Sequence, residues 1–84
     1  MKCQLVIGQD GNLTGSSSCK RREKPAISVT GNIQGKANCQ VDGSFVVGNQ
    51  HFRLVDVNMN IDQSMFAGIA ALGASFIQFQ ALKR

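Results

Sequence analysis

The residues with most chemistry to offer are one histidine, three cysteines and a run of cations. Any Ser/His/Asp or Cys/His relay would have to use His51. It follows the turn formers Gly48-Asn49-Gln50, and no G-x-S-x-G elbow presents a serine to it. The expectation is an exposed turn histidine. Cys3, Cys19 and Cys39 together with His51 have the donor types of a Cys3His zinc site. Such sites bring ligands in close pairs, because one tight turn sets two of them at tetrahedral reach. Here the intervals are long and unpaired, and Cys39 reads as a buried small apolar residue. Gly31-Asn32-Ile33-Gln34-Gly35-Lys36-Ala37 has one residue too few for a P-loop, and Ala37 stands where a Ser or Thr must hold magnesium. Asp56 and Asp62 share a strand pattern with Asn58 and Asn60, which reads as a solvated face rather than a calcium site. Nothing places a carboxyl in an apolar pocket that would raise its pKa for acid catalysis. The chain is therefore expected to be no enzyme, and to hold no cofactor or metal.

The cations are a better candidate. Lys20, Arg21, Arg22 and Lys24 crowd one stretch, interrupted only by Glu23. A loop so charged can neutralise phosphates and release their counterions. Lys36 and Arg53, with Lys83 and Arg84, extend the patch if the fold brings them near. The net charge of +4 and the pI near 9.4 suit nucleic acid or another anionic surface without demanding one. A merely solvated, solubilising loop explains the same residues. The five Phe are the only aromatics and none lies within the cluster. Base stacking of the usual single-strand kind is therefore not expected, with Phe52 beside Arg53 the one candidate platform.

A chain of 84 residues makes one small domain, 1–84, and its 43 % apolar composition is that of a globular protein. A domain this small buries only about 60–65 % of the surface its unfolded chain exposes, so oligomerisation is a common remedy. The cysteines are odd in number with no C-x-x-C pair, and Lys2–Ile7 is too short for a signal-peptide core. The expectation is a cytoplasmic protein with three reduced thiols. One disulfide with a spare thiol is the alternative if the chain is a processed form.

Lys2–Ile7 alternates as a first strand, and Gly8-Gln9-Asp10-Gly11-Asn12 turns into Leu13-Thr14. Residues 15–25 read as a mobile basic loop ending at Pro25. From Ile27 to Val47 every odd position is apolar or Gly, and the even positions from Ser28 to Ser44 are polar. That is a sheet with one dry and one wet face. Across a two-residue hairpin paired positions sum to an odd number, which would switch the inward parity. The parity holds, so the turn needs an odd loop or a bulge, or the chain bends without reversing as in a β-solenoid. The absence of a fixed repeat length favours antiparallel strands. After Gly48-Asn49-Gln50 the apolar set shifts from Phe52 and Leu54 to Val55, Val57, Met59 and Ile61, which predicts a bulge near Leu54-Val55.

Residues 63–82 carry no charge. Asp62 or Ser64 can cap a helix, Met65, Phe66, Ile69 and Leu72 recur at helical spacing, and Gly73 suits its C-terminal stop. Ala74–Leu82 then alternates as a closing strand, with Ile77, Phe79 and Ala81 on one face. The segment is just long enough to span a bilayer, but Gln63, Ser64, Ser75, Gln78 and Gln80 dilute it, so no membrane span is expected.

The expected fold is mainly β within an α+β class. It is a small twisted antiparallel sheet or partly open barrel of about 5–7 short strands, with one short helix at about 63–72 before the last strand. The expected function is that of an interaction protein, binding a protein partner or itself as a homodimer. Its self-association face is Ala67, Gly68, Ala71 and Phe76, where small residues let another surface approach. The alternative is a small nucleic-acid-binding barrel that grips phosphates with residues 20–24.

Overall fold

The computed structural model describes residues 1–84. Seven strands close into a barrel in chain order: β1 (Lys2–Ile7), β2 (Ser18–Lys20), β3 (Ile27–Gly35), β4 (Val41–Val47), β5 (Gln50–Met59), β6 (Met65–Leu72) and β7 (Ser75–Lys83). Neighbours are antiparallel except β1 and β7, whose parallel ladder from Lys2↔Gln78 to Ile7↔Lys83 closes the ring. The body is flattened, 37 × 26 × 18 Å.

The alternation that marked Ile27–Val47 becomes β3 and β4. Their ladder runs from Val29↔Val47 to Gly35↔Val41, odd against odd throughout. An odd connection permits this, and the chain uses the five residues Lys36–Gln40. A 3-10 turn at Ala37–Cys39 and a bond donated by the Lys36 N–H to the Gln40 carbonyl close it. Ala37 and Cys39 therefore leave the barrel. Cys39 is exposed, not buried as its parity suggested. The next hairpin, through Gly48-Asn49, is a two-residue one, and parity switches so that Phe45 meets Phe52. The expected bulge is present: the β5–β6 register shifts between Leu54 and Asp56.

Inward side chains form one cluster of 14 buried residues. Phe45 lies at its centre, stacked on Phe52 with ring centroids 6.1 Å apart and edge-on to Phe79 at 5.5 Å.

The expected helix at 63–72 is not there; Met65–Leu72 is strand β6. Phe66, Gly68 and Ala70 pair with the buried Ala81, Phe79 and Ile77 of β7, while Met65, Ala67, Ile69 and Ala71 line the outer surface. The local signals were real but serve a strand as well as a helix. Asp62 Oδ1 accepts bonds from the Ser64 N–H (3.1 Å) and hydroxyl (2.6 Å), as an N-cap would, and here they tighten the β5–β6 turn. Gly73, at φ +59°, has the left-handed backbone that a helix stop needs and that the β6–β7 hairpin also needs. At Gly68 a Cβ would run into the Asp56 carbonyl oxygen and the Val57 Cα beside the bulge. The strands close there only because this residue has no side chain.

Within the stretch 15–25 the structure places one short strand, with turns on either side. Residues 18–20 form β2, whose Cys19 sits opposite Cys3 of β1. The two are joined in a disulfide, which overturns the expectation of three reduced thiols. Upstream, Leu13 bridges Ile7 and Asn12 bridges Asn32, so residues 12–13 continue the path of β2 toward the other end of the barrel. The break between them is filled by Ser17. It is 1 % exposed, and its hydroxyl accepts from the Val6 N–H (2.9 Å) and donates to the Val6 carbonyl (3.2 Å).

Candidate nucleic-acid interface

The direction of each strand sorts the cations. β1 begins, β2 ends and β3 begins at one end of the barrel, where the Gly48-Asn49 and Gly73-Ala74 hairpins also lie. Lys2 and Lys20 are directly opposite each other there, both exposed, on the outer face of the Cys3–Cys19 pair. Arg21 and Arg22 continue from β2, and the Lys24 N–H donates to the Arg21 carbonyl in the following turn. Lys2, Lys20, Arg21 and Arg22 line one cleft of about 790 Å³, in which Glu23 is the only acid. No salt bridge neutralises any of these four cations.

Lys36 is not part of this group. It sits at the β3–β4 turn, at the other end of the barrel, and its ammonium pairs with Asp42 at 2.6 Å. Lys83 and Arg84 also lie at that end, where Lys83 is opposite Ile7 and the Arg84 N–H donates to the Ile7 carbonyl. Arg53 is closer to the cluster. It pairs with Ala71, which pairs with Phe76, so one outer row runs Arg53–Ala71–Phe76. Neighbouring strands are about 4.8 Å apart, which puts the Arg53 and Phe76 backbones roughly 10 Å from each other.

Phe52 is no stacking platform. It is 2 % exposed and packs on Phe45. The exposed aromatic is Phe76, at 65 %. The parallel ladder with β1 begins at Gln78↔Lys2, so Phe76 projects past the end of β1 with only Ala71 beside it on β6. Arg21 and Arg22 line a second cleft of about 430 Å³ with Phe76, Gln50 and Ser75. The two clefts share Met1, Arg21 and Arg22 in their linings.

Sequence reasoning missed Lys2 because the register Lys2↔Lys20 follows from a three-residue strand with no pattern of its own. It did single out Phe76, but for the self-association face. Of that face, Ala67, Ala71 and Phe76 do point outward, whereas Gly68 lies in the inward row. The outer surface of β6–β7 carries Met65 opposite Leu82 at one end and Ala71 opposite Phe76 at the other, with Gln78 and Gln80 between. His51 is exposed on β5.

No protein family matches the chain, and neither a curated protein nor a solved structure does.

Proposed function

We propose that this protein works by binding rather than catalysis, and that its basic end grips the phosphates of a nucleic acid. The observation that carries this reading is the cleft lined by Lys2, Lys20, Arg21 and Arg22. Like charges directly across a strand pair oppose folding, and an anion bound between them removes that cost. Four cations in one cleft favour a ligand with several phosphates over a lone anion. Fluorescence titration with random oligonucleotides at two salt concentrations tests it. Binding should be firm at low salt and collapse as salt rises, because affinity comes from counterion release. Undetectable binding at low salt ends this reading.

Self-association is the second reading, supported by the exposed Met65, Leu72, Phe76 and Leu82 of β6 and β7. In that reading a homodimer buries Ala67, Ala71 and Phe76, with Gly68 only lending its backbone. A strict monomer by light scattering at high concentration removes it. The two readings compete for Phe76, so a dimer that dissociates when oligonucleotide is added would join them. The cytoplasmic expectation is weakened by the Cys3–Cys19 disulfide, which supports a working place in an oxidising compartment.

A further inference from the structure

We infer that the nucleic acid is single-stranded, with one unpaired base stacking on Phe76 while Arg21 and Arg22 hold the flanking phosphates. This rests on the phosphate-binding reading above and adds what that reading lacks, a means of telling strand from duplex. Phe76 is the exposed ring of a chain whose other large rings are buried at Phe45, Phe52, Phe66 and Phe79. It is held on a strand rather than a loop, so its face is presented at a fixed angle. Its cross-strand neighbour is Ala71, too small to cover it, and β1 ends before reaching it. The cleft it lines with Arg21, Arg22 and Gln50 measures about 430 Å³, room for a base and its sugar. A duplex hides its base faces in the stack, so it can use the cations but not the ring. An aromatic platform beside cations that track the backbone is the general way single strands are held without sequence preference.

The test uses a labelled single-stranded oligothymidylate and a duplex of equal length. The wild-type chain is expected to prefer the single strand at equal salt. Phe76→Ala should weaken single-strand binding roughly tenfold or more, with no change in the slope of log affinity against log salt, since no charge is lost. Its fold should survive, because the ring is 65 % exposed, and an unchanged thermal transition checks that. The chain has no Trp, so Phe76→Trp introduces a lone reporter. It should retain affinity, and its fluorescence should be quenched by oligothymidylate but not by inorganic polyphosphate. Equal affinity for strand and duplex, or wild-type affinity in Phe76→Ala, overturns the stacking inference and leaves phosphate binding standing. Failure of the wild-type chain to bind any oligonucleotide at low salt overturns both.

Discussion

Lys2 and Lys20 stand directly opposite each other on antiparallel neighbours, exposed and in no salt bridge. Directly opposed like charges cost roughly 0.2–1 kcal/mol relative to a neutral pair. Lys20→Glu would turn the repulsion into an attraction. It should raise the urea midpoint slightly while weakening oligonucleotide binding and lowering the salt slope. A variant that loses stability as well as binding would mean that Lys20 supports the fold in some way other than its charge.

Beneath that pair the Cys3–Cys19 disulfide ties β1 to β2 across a separation of 16 residues. Closing a loop of that size restricts the unfolded chain and stabilises the fold by about 3 kcal/mol in the chain-entropy account. β2 has only three residues and short ladders, so it depends on this tie more than the longer strands do. Reduction should lower the urea midpoint strongly. Cys3→Ala and Cys19→Ala should each reproduce the shift, since either removes the same bond. The measurement is best made on Cys39→Ser, which removes the exposed thiol that could exchange with the bridge. An unmoved midpoint on reduction would show that the β1–β2 ladder holds without the bond.

Much of this architecture can be read from residues alone, and the failures share a cause. Ile27–Val47 was legible because polar residues mark one face at every step, and its unbroken parity demanded the odd connection at Lys36–Gln40. The Val55 bulge was legible because the apolar set visibly changes parity. β6 was not, since Ala67, Gly68, Ala70 and Ala71 have no polar face to set a period. Its flanking signals at Asp62, Ser64 and Gly73 fit helix and hairpin alike. The candidate site was half legible. The cluster Lys20–Lys24 is local, whereas the meeting of Arg21 and Arg22 with Phe76 depends on a parallel closure between the first and last strands. No local pattern encodes that closure.

Ser17 gives a sharper test of how the broken second strand is held. Its hydroxyl accepts from the Val6 N–H and donates to the Val6 carbonyl, which also accepts from the Thr14 N–H at 2.9 Å. Ser17→Ala leaves the Val6 N–H without its partner in a half-buried place, while the carbonyl keeps the Thr14 N–H, and the loss costs about 1–3 kcal/mol. Ser16→Ala next to it, exposed and without a buried bond, should stay within about 0.5 kcal/mol of wild type. Similar midpoints for the two variants would mean that water replaces the Ser17 hydroxyl at little cost.

The β5–β6 turn should leave a mark on acid stability. The Ser64 hydroxyl and then the Ser64 N–H bond the Asp62 carboxylate and lower its pKa from the ordinary 3.8, outweighing a small opposing effect of desolvation. A carboxyl whose folded pKa lies below its unfolded value stabilises the fold above the unfolded value. That contribution is lost as pH falls through the folded value. Asp10 shares the sign, held down first by the Asn12 N–H and then by the Asn12 side-chain amide. Asp62→Asn keeps the shape of the turn without the charge. Its urea midpoint should lie below that of wild type at pH 6, and the gap should narrow below about pH 4 as the wild-type carboxyl takes up its proton. Both groups are exposed, so the gap should also shrink with added salt. A gap that stays constant from pH 6 to pH 2 would show that Asn fails Asp62 by geometry alone, and that the carboxylate's charge contributes nothing to closing the turn.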